Sequence, residues 1–194
     1  LDERSRHVGE LRLALEVVPR HPVDLGRARV DLALGIDVEV DRAPRQAAIQ
    51  QMILDGRQRA NLHLAPADVS GVRALIKALK KGQAVGMLPD QAPKVGEGVW
   101  LKFFGRSAYT MTLAGRLTET GATTLMAWGE RLPGGRGYRL HIRPPATPLT
   151  GATVDRAQQV NFEIETLIRE CPAQYLWGYN RYKRPGGAEP PPAQ

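Results

Sequence analysis

This sequence has little of what marks several protein classes. One cysteine, Cys171, stands in 194 residues, so no intrachain disulfide can form and a reducing compartment is expected. Four histidines, His7, His21, His63 and His141, lie far apart and no CxxC occurs, which argues against a structural zinc site. No P-loop is present and no G-x-G-x-x-G follows a strand; Gly96-Glu97-Gly98 alone reads as a loop. No cofactor is expected. Runs without charge, such as Ser107 to Gly115 and Gly121 to Gly129, are about half the ~20 residues a membrane helix needs. No bilayer-spanning segment and no signal peptide are expected in the stretch given.

Aromatic residues are missing from the first half. All three Trp, five Tyr and three Phe lie at or after Trp100, and residues 1–45 contain no lysine. Charge is also uneven. Residues 1–40 hold 8 acidic and 6 basic residues, while the whole chain carries +7, so the remainder is net +9. A basic bulk points to an anionic partner: nucleic acid, an anionic membrane surface, a phosphorylated substrate or an acidic protein. The 42% hydrophobic and 24% charged composition is that of a globular domain.

Periodicity supplies the elements. Leu11, Leu13, Leu15 and Val17 alternate with polar or small residues, as do Val38 and Val40, which predicts short half-buried strands. Residues 44–61 read as a helix opened by Pro44. Val72, Leu75, Ile76 and Leu79 form the apolar stripe of a second helix, capped by Asp68 or Ser70 and stopped by Gly82. Ala84 to Leu88 reads as a buried strand, Thr110 to Thr120 as a helix, and 123–143 as a hairpin around Pro133-Gly134-Gly135. The last helix is predicted from Val154 to Cys171, with Ala157, Val160, Ile164, Leu167, Ile168 and Cys171 buried. Residues 186–194 are Pro/Gly-rich and expected to be disordered. Helices alternating with short buried strands give an α/β layered sheet with flanking helices.

Some residues carry possible chemistry. His63 and Asp68 have the spacing H-x4-D, in which an imidazole accepts a proton from an attacking hydroxyl and a carboxylate orients it. The alternative is that Asp68 simply caps the following helix. Asp90, in Leu88-Pro89-Asp90-Gln91, follows a buried strand, where polar residues face a ligand crevice or bond their own turn. Arg57 and Arg59 can hold phosphate or merely close a helix. The segment from Gln174 to Pro185 interleaves Tyr and Trp with Arg and Lys, which suits single-stranded nucleic acid, a membrane interface, or core packing of the aromatics.

Several blocks together resemble the bacterial lipid A biosynthesis acyltransferases, the lauroyl/myristoyl type within the lysophospholipid acyltransferase-like superfamily. They are Gly71-Val72-Arg73 with Leu79 to Gly82, Leu88-Pro89-Asp90-Gln91, Phe103-Phe104-Gly105, and Ala108-Tyr109-Thr110. Asn161, Glu165, Ile168-Arg169, Pro172, Gln174 to Trp177 and Asn180 to Pro185 follow in order. The likeness extends from near Arg42-Ala43-Pro44, through Gly56-Arg57, to Pro185. The resemblance implies an acyltransferase-like domain over 44–185. It implies transfer of a fatty acyl chain from an acyl-carrier-protein thioester to a hydroxyl of a lipid A precursor, at the cytoplasmic face of the inner membrane. The implied partners are acyl carrier protein, the lipid A precursor and the inner-membrane surface, with no nucleic acid.

By that resemblance Arg57 steadies the thioester oxyanion or a substrate phosphate, and Arg59 joins the substrate contacts. Asp90 and Gln91 line the acceptor site, and Phe103 and Phe104 line an acyl groove or pack in the core. Glu165, Gln174 and Trp177 are expected to be scaffold. One departure stands out. The family's His-x4-Glu/Asp motif is expected about twenty residues before Arg42, yet His21 is followed at +5 by Gly26 and His7 by Arg12. Residues 1–43 are therefore expected to be an atypical or altered segment, as in a fragment lacking the family's membrane helix and part of its sheet. The competing expectation is a member that binds anionic lipid or acyl carrier protein without catalysis.

Overall fold

The computed structural model describes residues 13–18, 32–36 and 63–192, with side chains described from Ala65 onward. Two early strands, β1 (Leu13–Val18) and β2 (Leu32–Ile36), join β3 (His63–Ala65) and β4 (Ala84–Met87) in one sheet. The sheet is completed by β7 (Thr123–Arg131) and β8 (Tyr138–Arg143) in the order β3-β2-β4-β1-β7-β8. β3, β2 and β4 run parallel, whereas β1 is antiparallel to both β4 and β7, and β7 to β8. The alternating Leu13, Leu15 and Val17 thus belong to an interior strand, with Leu15 facing Met87 on one side and Met126 on the other. The predicted strand around Val38 and Val40 and the predicted helix over 44–61 lie outside the described residues.

Between β3 and β4 runs α1 (Val69–Lys80). Asp68 caps it, accepting the N–H groups of Ser70 at 2.8 Å and Gly71 at 3.1 Å, while Lys77 and Lys80 oppose the dipole at its end. Its buried face is Gly71, Leu75, Ala78 and Leu79, rotated from the stripe expected from Val72 and Ile76. The reason is Gly71 itself: a Cβ there would stand 1.8 Å from the Pro66 carbonyl, so the helix turns its smallest residue toward the incoming chain.

A separate hairpin pairs β5 (Gly98–Phe103) with β6 (Arg106–Met111). This corrects the predicted helix over 110–120. Thr110 and Met111 belong to β6, and only Leu113–Thr118 forms the short helix α2. The hairpin register overrides local helix propensity there, because Tyr109 and Thr110 suit a paired, buried strand. The joining turn, Phe104-Gly105, has φ of +48° and +75°, the sign that a two-residue hairpin matched to the strand twist requires.

The last helix, α3 (Thr153–Glu170), agrees closely with its sequence pattern. Ala157, Val160, Ile164, Leu167 and Ile168 are all buried, and Cys171 is half-buried just past the end. Val160, Ile164, Leu167 and Ile168 join Leu75 and Leu79 of α1, Leu117 of α2, and Val85, Met87, Met126 and Trp128 of the sheet in one cluster, with Cys171 packed against it. Phe103 enters the same core from the hairpin. Pro/Gly-rich residues continue against the body as far as the description reaches: the Trp100 indole donates to the Glu189 carbonyl at 3.0 Å.

Where α2 crosses α3 the backbones nearly touch. A Cβ on Gly115 would meet the Thr153 carbonyl at 2.1 Å, whereas one on Gly129 would meet nothing within 4 Å. Gly115→Ala is expected to lower the unfolding free energy by about 1–3 kcal/mol through overpacking. Gly129→Ala should change it by less than about 0.5 kcal/mol. Urea unfolding followed by circular dichroism measures both.

Candidate functional site

In a sheet of this kind the carboxyl ends of the parallel strands open toward a ligand crevice. Here β3 leads into Pro66-Ala67-Asp68, and β4 leads into Leu88 to Lys94 on the same edge. Between these segments and the chain end lies a cleft of about 320 Å³, lined by Ala67, Pro93, Lys94, Glu97, Lys183 and Arg184 among others. Its walls are pinned by aromatic hydroxyls. Tyr179 Oη accepts from the Ala92 N–H at 2.9 Å, and Tyr109 Oη accepts from the Gly96 N–H at 3.2 Å. Lys183 Nζ sits 5.6 Å from the centre of the Tyr179 ring. Three cations thus border the cleft against one carboxylate, a balance that suits an anionic ligand.

Behind this wall is a buried polar network centred on Arg181, which is only 3% exposed. Its Nη1 donates to the Tyr109 carbonyl at 2.8 Å and its Nη2 to Thr110 Oγ1 at 2.8 Å. Asn161 Nδ2 donates to the same Thr110 oxygen at 3.1 Å and to the Lys102 carbonyl at 3.0 Å. The guanidinium carbon also lies 5.1 Å from the Phe103 ring centre. Among the described residues its Nε–H has no hydrogen-bond partner.

Asp90 and Tyr175 complete the network. The Tyr175 hydroxyl and the Arg181 guanidinium both interact with the Asp90 carboxyl. Burial pushes the Asp90 carboxyl above its ordinary value of 3.8, outweighing the attraction of Arg181 and the Tyr175 bond. The residue keeps some exposed surface, but protein crowds its carboxyl group. Burial likewise raises Tyr175 and lowers Arg181.

The remaining predicted residues separate. Phe103, 1% exposed, packs in the core against Phe104 and Tyr182 with ring centres 5.0 Å and 6.2 Å away. Phe104 is half-buried at the hairpin turn, its N–H donating to Glu165 Oε1 at 2.8 Å. Gln91 is half-buried beside Asp90. Asp68 is open to solvent, its Oδ1 also taking the Ser70 hydroxyl at 2.6 Å, and that bond foremost holds its carboxyl below the usual range. His63 begins β3, but its ring, like Arg57 and Arg59 altogether, lies outside the described residues. Glu165 and Gln174 act as scaffold. Gln174 clamps the end of β7, accepting from the Arg131 N–H at 2.8 Å and donating to its carbonyl at 3.0 Å. Among the described residues no three His, Cys, Asp or Glu gather as metal ligands would.

Sequence reasoning alone missed Arg181 as the centre of this network. It sits in a run of Arg and Lys that reads as a solvated or ligand-facing segment, and no periodicity marks it as internal. The signal that points to it is composite: Asp90, Thr110, Asn161, Tyr175 and Arg181 come from five of the quoted blocks, and the fold brings all five together.

Comparison with known proteins fits this convergence. A sequence model of the family described as bacterial lipid A biosynthesis acyltransferase matches residues 39–184. The lipid A biosynthesis lauroyltransferase of Escherichia coli (strain K12) is 34% identical over 137 residues, 68% of this chain and 44% of that protein. The palmitoleoyltransferase of the same organism matches at 34% over the same shares. A lipid A biosynthesis acyltransferase of Haemophilus influenzae is 25% identical over 109 residues, 56% of this chain and 34% of its own length. The matched stretch therefore spans less than half the length of these relatives.

The raised Asp90 carboxyl fixes a pH signature. The folded state holds this proton more tightly than the unfolded chain, so its contribution to stability is complete below 3.8 and is lost as pH rises through the folded-state value. Asp90→Asn removes the titration. The stability difference between Asp90→Asn and the parent should therefore shift in favour of the variant as pH rises from about 4. Chemical unfolding at a series of pH values checks it; parallel profiles would contradict the assignment.

Proposed function

The chain belongs to the bacterial lipid A biosynthesis acyltransferase family, and from that premise we propose that it serves the transfer of a fatty acyl chain to a lipid A precursor. The donor in this reading is an acyl-carrier-protein thioester and the acceptor a hydroxyl of the precursor. The work takes place at the cytoplasmic face of the inner membrane. The observation that carries the reading is the family match over residues 39–184. Two features support it. The cleft at the carboxyl edge is bordered by Lys94, Lys183 and Arg184, which suits a phosphorylated lipid or an acidic carrier protein. Asp90 and Gln91 stand on the same loop that forms one wall of that cleft.

Roles follow from the chemistry needed. Acyl transfer requires a base for the acceptor hydroxyl and a donor for the thioester oxyanion. His63 with Asp68 is the one pair in the sequence at His-x4-Asp spacing. Arg57 is the proposed oxyanion or phosphate partner, with Arg59 beside it in sequence. Asp90 supports the acceptor side by ordering Tyr175 and Arg181 behind the cleft, and Gln91 meets the acceptor. Phe104, at the edge of the core, is the better placed of the two phenylalanines to meet an acyl chain, because Phe103 is enclosed.

One observation favours a second reading, a binding module for anionic lipid or acyl carrier protein that does not turn over. The Asp68 carboxylate already serves as a helix cap through three hydrogen bonds to one oxygen.

The test is incubation of the chain with acyl-carrier-protein thioester and tetra-acylated lipid A precursor, read by mass spectrometry. The acyltransferase reading expects a product one acyl chain heavier. Lys94→Glu should lower kcat/KM by about tenfold or more through the precursor or carrier. His63→Ala should abolish turnover if His63 is the base; unchanged turnover removes it. Binding of both substrates without product establishes the second reading.

A further inference from the structure

Three large apolar side chains, one on α3 and two on the segment after it, are left open to water. Phe162, Leu176 and Trp177 are 52%, 40% and 60% exposed. Their neighbourhood is set by β5 lying along α3. The Lys102 N–H donates to Gln158 Oε1 at 2.8 Å, the Lys102 carbonyl accepts from Asn161, and the Phe104 N–H donates to Glu165. Gln158, Phe162, Glu165 and Arg169 share one stripe of α3 by helical spacing. Phe162 therefore stands beside the Phe104 turn. The Trp177 ring lies 6.2 Å from that of Phe104, and the Arg169 guanidinium 4.7 Å from it.

Cations flank this turn. Lys102, Arg106 and Arg169 are exposed. The carboxylate between them, Glu165, is buried and engaged with the Phe104 N–H and with Arg169 at 3.1 Å. The Trp177 indole donates to the Pro172 carbonyl at 2.7 Å, which fixes the ring at the surface. Exposed Trp, Phe and Leu ringed by Arg and Lys match the headgroup region of a bilayer, where aromatic rings sit at the interface and cations meet phosphates. No helix of the described residues is long and apolar enough to cross a membrane.

We propose that the Phe104 turn with Phe162, Leu176 and Trp177 docks this chain on an anionic lipid surface. The apolar side chains enter the interface while Lys102, Arg106 and Arg169 meet lipid phosphates. The inference rests on the proposed function only in giving a lipid surface its relevance, and its test uses no acyl donor. A failed transferase assay and a failed docking assay are therefore distinguishable.

The experiment is flotation of the 194-residue chain with vesicles of phosphatidylcholine alone or mixed with phosphatidylglycerol. Binding is expected to the mixed vesicles, with a blue shift of tryptophan emission. Raising salt should weaken it without abolishing it, because the apolar part is not screened. Phe162→Ser with Leu176→Ser should reduce the bound fraction about tenfold or more. Trp177→Ala, a second variant, should do the same with an unchanged far-ultraviolet circular dichroism spectrum. The control is Leu140→Ser on β8, where Tyr138, Leu140 and Ile142 form another exposed apolar row; it should bind as the parent does. No vesicle binding, binding indifferent to both patch variants, or an equal loss from Leu140→Ser would overturn the proposal.

Discussion

A guanidinium removed from water must find its hydrogen bonds inside the protein, and Arg181 finds them on other elements. Its fork reaches the Tyr109 carbonyl and the Thr110 hydroxyl on β6, its charge faces Asp90 at the end of β4, and its plane lies over Phe103 on β5. Asn161 of α3 shares the Thr110 oxygen and holds β5 through the Lys102 carbonyl. Burying such a charge is costly unless its partners are fixed, so the geometry that stabilises Arg181 also fixes the hairpin, the helix and the loop that carries Asp90.

The surfaces proposed to meet ligands are the outer sides of that arrangement. On one side the Asp90 loop and the chain after Arg181 form the walls of the basic cleft. On the other, the hairpin turn is held on α3 by Glu165, with Phe104 at positive φ and Arg169 stacked upon it. A left-handed phenylalanine is strained by local preference. The bond from its N–H to a buried carboxylate and its ring contacts hold it there. One network thus sets both the cleft and the apolar, cationic end of the hairpin, which fits the proposed uptake of an anionic substrate at a lipid surface.

Much of this fold is legible in the sequence where burial repeats with a regular period. The five apolar positions of α3 from Ala157 to Ile168 and the β7–β8 hairpin follow directly from spacing and turn residues. Thr110 to Thr120 misled because pairing with β5 across the hairpin, which helix propensity does not see, decides its first two residues. Arg181 was hidden for a different reason. Its neighbours Tyr182, Lys183 and Arg184 are more exposed, and nothing local distinguishes the one arginine that turns inward. Asp90 was legible as a strand-end residue, but its pairing with Tyr175 and Arg181 depends on contacts about ninety positions away. Asp68 was legible as a cap. His63, Arg57 and Arg59 carry the catalytic part of the proposal on sequence and family pattern alone.

The most direct measurement is a double-mutant cycle between Thr110→Val, which removes the shared oxygen at constant shape, and Arg181→Lys, which keeps a cation opposite Asp90 but loses the fork. If Arg181 organises the site through Thr110, unfolding free energies should show a coupling of about 0.5–3 kcal/mol. Effects that add within about 0.3 kcal/mol would contradict the account, because the two groups would then be stabilised independently of one another.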